Sequence, residues 1–265
     1  MHIPRAGGTA LGSQIAQQTR LDPTFYFSFF GLDSSKGRNR IVVERLRKGD
    51  ADHQALMRNR HFLESRVIMG HFSHDLATIL DDFELRFATV VREPISRTIS
   101  LIHQYTLDAP DRRRFADFPV PSKSREPDAY WAEIYRVLAA NRRGPIPGLL
   151  PHENLMLFNG TCRMIGGAPL HTWVPAIDFA RVRERLPLFK LALFERFNGT
   201  AGAMMRELGI AVDLDERCNH AGIGDPAERA RHARYYGAPE KVLDLVRAMN
   251  DDDLRLYELV ASAIR

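Results

Sequence analysis

The sequence predicts an α/β fold with a central, mainly parallel sheet flanked by helices. Short apolar runs alternate along the chain with amphipathic stretches, the pattern of strands interleaved with crossover helices. One of these runs, Phe87-Ala88-Thr89-Val90-Val91, is almost continuously apolar, as a strand buried on both faces requires. At 265 residues the chain is long enough for a sizeable core, and a single domain spanning 1–265 is expected.

Taken in order, Met1 to Ile3 read as the end of a strand. Leu11, Ile15 and Ala16 have helical spacing until Asp22-Pro23 stops it, and Phe25 to Phe30 are strand-like. Val67-Ile68-Met69 form a short apolar run ending at Gly70. The Phe87–Val91 run lies between Arg86 and Arg92. Pro94 then opens a helix that sets Ile95, Ile99 and Ile102 on one face. The polar, proline-bearing stretch from Ala109 to Arg125 reads as a long loop. Helices are expected over Asp128 to Asn141 and around Asn154 to Ile165. Phe189 to Phe194 read as a strand, and the Ala201 to Leu208 region as a helix ending at Gly209. His220 to Gly237 read as a loop, and two helical stretches close the chain within Pro239–Met249 and Asp252–Ile264.

Composition excludes several classes. With 45% hydrophobic and 26% charged residues, the chain is not of disordered type. Cys162 and Cys218 are too few and too far apart for a disulfide framework or a zinc site, and no metal is expected. No run of about 18 apolar residues exists, so no membrane span is expected. His2, Pro4 and Arg5 interrupt the start before an apolar region develops, so no signal peptide is expected and a cytoplasmic location is the simplest inference. The formal net charge is +4, nearly all of the positive charge being arginine. A guanidinium grips phosphate, sulfate or carboxylate through two parallel hydrogen bonds, which suits an anionic ligand. No nucleic-acid motif is visible, and aromatic residues do not interleave with a basic run.

Two segments carry chemistry. Residues 2–11, HIPRAGGTAL, read as a strand end, a paired-glycine turn and a helix start. Gly7 and Gly8 let the backbone bend sharply and approach a ligand closely. The N–H groups of Gly8, Thr9 and Ala10 would point outward at the positive end of a helix, an anion site, with the Thr9 hydroxyl and the Arg5 charge beside it. The triphosphate-binding pattern GxxxxGK[ST] fails here, because Ser13 and Gln14 follow Gly12 where lysine and a hydroxyl residue are needed. Residues 90–105, VVREPISRTISLIHQY, place Arg92 at the end of the buried strand and Ser100 in the second turn of the next helix, so that both could hold one phosphate. The bland alternative makes Arg92 and Arg97 exposed helix-start charges and Ser100 a packing residue.

Together these segments resemble a known family. HIPRAGGTAL is similar to the HIPKTGGTSL loop, and VVREPISRTIS to the RDPxxRxxS segment, of the carbohydrate sulfotransferases that include the heparan 2-O-sulfotransferase type. Gly70-His71-Phe72, the stretch FERFNGTAGAMMRELG at 194–209, and Asp253 to Glu258 resemble later elements of that family in the same order, so the resemblance covers most of the chain. It implies a P-loop nucleotide-kinase-like sulfotransferase fold. It also implies transfer of a sulfuryl group from 3′-phosphoadenosine 5′-phosphosulfate (PAPS) to a hydroxyl, most simply of a carbohydrate. On this reading Arg5, Gly7, Gly8, Thr9 and Ala10 bind the 5′-phosphosulfate, and Arg92 and Ser100 bind the 3′-phosphate.

The sequence departs from the family in two places. Arg5 stands where the family has a lysine; arginine can stabilise the leaving phosphate but does not give up a proton. The family's strand before the loop is also longer than Met1–Ile3.

His71 is the candidate general base. It follows a strand in a Gly-His turn, an imidazole suits proton abstraction near neutral pH, and a histidine in a similar stretch serves this role in the family. His74 and Asp75 are nearby alternatives, with Asp75 also able to orient a histidine. His103, one turn from Ser100, could face the site but reads rather as a surface or core residue. Glu195 and Arg196 read as helix-start ion pairs rather than substrate contacts. The arginines of the 220–237 loop read as solvated rather than as a cover for the nucleotide or a grip on an anionic acceptor. Two other readings have distinct signatures: a nucleotide kinase would require ATP with Mg²⁺, and a basic polyanion-binding module would bind polyanions in a salt-sensitive way without a nucleotide.

Overall fold

A computed structural model describes residues 1, 3, 6, 11, 24–27, 46–65, 67–106, 127–149, 151–169, 172–210 and 237–264. The elements in order are β1 (Thr24–Phe27), α1 (Ala51–Met57), α2 (Arg60–Glu64), β2 (Val67–Gly70), α3 (Leu76–Ile79), β3 (Phe87–Val91), α4 (Pro94–Thr106), α5 (Pro127–Ala140), α6 (Pro151–Leu157), α7 (Gly160–Gly166), α8 (Phe179–Arg185), β4 (Phe189–Leu193), α9 (Phe197–Glu207), α10 (Glu240–Met249) and α11 (Asp251–Ala263). Short 3₁₀ turns at Leu186–Leu188 and Phe194–Arg196 bracket β4.

All strand pairing among the described residues is parallel. β1 pairs with β2 (Phe25 opposite Ile68), and β3 pairs with β4 (Thr89 opposite Leu191), in two two-stranded sheets. The described residues are therefore mixed helix and strand with a small parallel sheet content and helices around it, which agrees with the α/β class, but the strands form two separate pairs rather than the one central sheet expected. The α-amino group of Met1 donates to the carbonyl of Ala88 at 2.9 Å, so the chain start lies against β3.

Apolar faces account for the packing. Ile99 and Ile102 of α4 are buried with Tyr130, Trp131 and Ile134 of α5 and Val242 and Val246 of α10, while Ile95 packs at the margin of the same cluster. Burying a side chain of this size contributes about 1.5–3 kcal/mol, enough to order a helix whose propensity alone would not hold it. A second cluster joins Met69, Val90 and Ala192, one from each of β2, β3 and β4, to Phe197, Met204 and Met205 of α9. A third holds Phe72 and Leu76 against Leu56 and Phe62 of the α1–α2 hairpin.

The helix expected around Asn154 to Ile165 is in fact two helices. α6 and α7 are separated at Phe158–Asn159, where Asn159 adopts the left-handed region (φ 55°). Asparagine is one of the few side-chain-bearing residues that enters this region at low cost. The break also has partners: Asn159 N–H donates to Asn250 Oδ1 at 3.1 Å, and its own Oδ1 accepts from Asp253 N–H at 2.9 Å. Gly160 follows because a Cβ there would sit 3.1 Å from Arg97 Nη1 and 3.3 Å from Met156 Sδ.

α7 ends on Gly167 (φ 69°), whose N–H bonds the Met164 carbonyl at 3.3 Å. A Cβ there would overlap Arg185 Nη1 and Asp75 Oδ1, which form an ion pair at 3.2 Å. Gly167→Ala is expected to destabilise by about 1–3 kcal/mol through backbone strain and displacement of that pair, read as a lowered urea midpoint with unchanged m.

Candidate functional site

The anticipated site residues fall into two groups. Arg5, Gly7, Gly8, Thr9 and Ala10 lie outside the described residues, as do residues 109–125 and 220–236 of the two anticipated loops, Ile15 and Ala16, and positions 28–30 at the end of the expected first strand. His71, Arg92 and Ser100 are described. The described residues that flank the glycine turn are both buried. Ala6, whose N–H bonds the Ile3 carbonyl at 3.2 Å, shares a cluster with Ile99 and Ile102 of α4. Leu11, the first described residue after the turn, shares one with Met69 and Val90.

Arg92 follows the last residue of β3 and is half-buried, its guanidinium carbon 4.7 Å over the ring of Phe194, which follows β4. A cation over an aromatic face is worth about 0.5–2 kcal/mol and fixes the plane of the guanidinium. Glu93 comes next and caps α4: its Oε1 accepts from Ile95 N–H at 2.9 Å and its Oε2 from Ser96 N–H at 2.7 Å. These amides are the ones an external anion would take at a helix N-terminus, so a phosphate held here must rely on side chains. Glu93 N–H itself donates to Glu195 Oε1 at 2.8 Å. Ser100 lies on the inner side of α4 and is 1% exposed, so a ligand oxygen reaches its hydroxyl only from within the fold. Six residues beyond Pro94, it sits roughly 9 Å further along the helix axis.

Arg97 is the opposite of an exposed charge. It is fully buried, with Nη2 3.1 Å from Asp253 Oδ2 and 3.3 Å from Asn250 Oδ1, and Nη1 donating to the Met156 carbonyl at 3.0 Å. Its role is to lock α4 to α6 and to the start of α11.

His71 is half-buried and directly follows Gly70 at the C-terminal end of β2, as Arg92 follows the C-terminal end of β3. The nearby alternatives are otherwise engaged. His74 is buried, stacked on Phe87 (4.8 Å) and near Phe189 (5.7 Å), and its N–H bonds the Met164 carbonyl at 2.8 Å. Asp75 pairs with Arg181 at 3.3 Å and Arg185 at 3.2 Å rather than with a histidine. His103 packs against Tyr130 and Trp131 in the core, one of the roles the sequence left open for it. Glu195 and Arg196 make structural contacts at the start of α9, the latter through the Ile264 carbonyl.

Burial first, and then the positive charge of Arg185, hold the His74 imidazole below its ordinary pKa of 6.5. The folded protein therefore binds this proton more weakly than the unfolded chain, and His74 favours folding fully only above about pH 6.5. Stability is expected to fall as pH drops below that value. His74→Phe should keep the stack and flatten the loss between pH 7 and 5.5, as read by urea unfolding at the two pH values.

A cavity of about 370 Å³ opens beside Met1, between β2 and β3, lined by apolar residues such as Ile68, Phe72, Phe87, Met204 and Leu208. Ser65, Glu84, Arg86 and Thr89 also line it, whereas His71, Arg92 and Ser100 do not. Among the described residues no group of three or more His, Cys, Asp or Glu could hold a metal ion, and no helix is long and apolar enough to cross a membrane.

Sequence reasoning missed Phe194 under Arg92, the Glu195 bond and the buried Asp253. The Glu93 cap was legible, since an acidic residue just before a helix-opening proline is a start signal. The other three arise from contacts between residues about a hundred or more positions apart, for which local spacing carries no signal.

Neither the protein-family models, the curated proteins nor the solved structures contain a match to this chain.

Proposed function

We propose that the chain is a PAPS-dependent sulfotransferase of nucleotide-kinase-like fold, acting on a hydroxyl of a carbohydrate. The observation that carries this reading is the shared anchoring of the two motif segments. Ala6 packs in the cluster of α4, the helix bearing Ser100, and Leu11 packs in the cluster of Val90, two residues before Arg92. Two segments that must grip opposite ends of one nucleotide have to be built on the same elements, and the flanks of the glycine turn meet that requirement. The parallel pairing of β3 and β4, with Arg92 leaving the C-terminal end of β3, supports it further, because open parallel sheets bind ligands at that edge.

In this reaction the acceptor hydroxyl gives its proton to His71 while its oxygen attacks sulfur in line with the departing 5′-phosphate. One sulfur–oxygen bond forms as another breaks, and 3′-phosphoadenosine 5′-phosphate (PAP) leaves. The amides of Gly7 to Ala10 hold the 5′-phosphosulfate, and Arg5 offsets the charge that grows on the leaving phosphate. Arg92 and Ser100 hold the 3′-phosphate, with Phe194 keeping the guanidinium in plane. The carbohydrate class of the acceptor rests on the family resemblance.

The direct test is transfer of labelled sulfate from PAPS to a panel of carbohydrate acceptors. Transfer is expected in wild type and in Arg5→Lys, and most of it is expected to vanish in Arg5→Ala. An undiminished Arg5→Ala rate would remove Arg5 from the mechanism, and no transfer to any hydroxyl would count against the reaction itself.

A further inference from the structure

We infer that Glu195 is a positioning residue for Arg92, setting how tightly the proposed site holds the 3′-phosphate of its nucleotide; this rests on the sulfotransferase reading above. Arg92 occupies the joint between β3 and α4, where the ladder partner of Val91 is Leu193 and the next backbone group to be fixed is the N–H of Glu93. That N–H, 102 positions away in sequence, donates to Glu195 Oε1 at 2.8 Å. Glu93's own carboxylate is turned the other way, onto the amides of Ile95 and Ser96. The backbone on both sides of Arg92 is thus pinned, upstream by the sheet and downstream by Glu195.

The side chain is pinned from the same turn. Phe194, adjacent to Glu195, lies under the Arg92 guanidinium at 4.7 Å. One 3₁₀ turn, Phe194–Arg196, therefore supplies both the plate beneath the cation and the acceptor that fixes its backbone. Glu195 also lies close enough to Tyr257 of α11 for its charge to act on that phenol. Burial first, and then the Glu195 charge, pushes that phenol up to about 12. The position calls for an acceptor oxygen to take the Glu93 amide, which no apolar side chain supplies.

The test is the Kd for PAP, with KM for PAPS and kcat, in wild type, Glu195→Ala and Glu195→Gln, each checked by its unfolding midpoint. Glu195→Ala is expected to weaken PAP binding about tenfold and to raise KM with kcat nearly unchanged, because the lost contact orients a binding group rather than the base. Glu195→Gln keeps a carbonyl oxygen for the Glu93 amide and is expected to restore most of the affinity. An alanine variant that binds PAP like a binding wild type would overturn the positioning role, and so would a glutamine variant as weak as alanine. A wild-type protein that ignores PAP would instead remove the nucleotide reading and this role with it, an outcome told apart because it appears before any substitution.

Discussion

Asp253→Ala is expected to lower the unfolding free energy by about 3–5 kcal/mol, the usual cost of removing one member of a buried ion pair. Both Asp253 and Arg97 are 0% exposed at the side chain. Asp253 Oδ2 accepts from Arg97 Nη2 at 3.1 Å and from Thr161 N–H at 3.0 Å, and its Oδ1 accepts from Cys162 N–H at 2.7 Å. Truncation would therefore strand a guanidinium and two first-turn amides of α7 at once, at a site buried from solvent. Asn250 softens the loss only in part, since its Oδ1 is already shared between Arg97 and Asn159 N–H. The paired replacement Arg97→Met with Asp253→Leu should cost less than either single change, because it leaves no buried charge behind. Urea unfolding of the three variants checks this. A loss below about 1 kcal/mol in Asp253→Ala would mean that the pair is solvated in solution.

The second large effect is catalytic. His71→Ala is expected to reduce turnover by about 10²–10⁴, the range for loss of a general base, while leaving PAP affinity close to wild type. The separation matters because His71 follows β2 whereas Arg92 and Ser100 belong to β3 and α4, so the base and the nucleotide grip are carried by different elements. His74→Ala provides the contrast. Its ring packs, tilted, against Phe87 and Phe189, so its removal should lower stability while leaving turnover per folded molecule largely intact. If His71→Ala turns over normally and His74→Ala does not, the base has been assigned to the wrong side of the 71–74 turn.

Local patterns were legible where the physics is local. Val67–Gly70, Phe87–Val91 and the helices opening at Pro94 and Pro127 follow from apolar runs, period and start signals, and the structure reproduces them within a residue or two. The break between α6 and α7 was not read from the sequence, although the Asn159-Gly160 dipeptide is a local turn signal within the run from Asn154 to Ile165. What stops the helix is a backbone state stabilised by Asn250 and Asp253, about ninety positions away. The inward turn of Arg97 was hidden for the same reason: its partners lie in α11, and an arginine in the first turn of a helix carries no local sign of burial. In the candidate site, Arg92 at a strand end and His71 after a strand were readable from the run boundaries. Phe194 and Glu195, which hold Arg92, were not, since they approach it only through the β3–β4 pairing.

The account stands on one nucleotide being gripped at both ends, and titration with PAP in the absence of added metal tests this most directly. Wild type should be stabilised by about 2.7 kcal/mol at 100 times Kd, Arg92→Ala should lose most of that gain, and ATP with Mg²⁺ should not reproduce it. Stabilisation by ATP–Mg²⁺ and indifference to PAP would contradict the account and point to a nucleotide kinase. Salt-sensitive polyanion binding with no response to either nucleotide would contradict it in favour of a binding module.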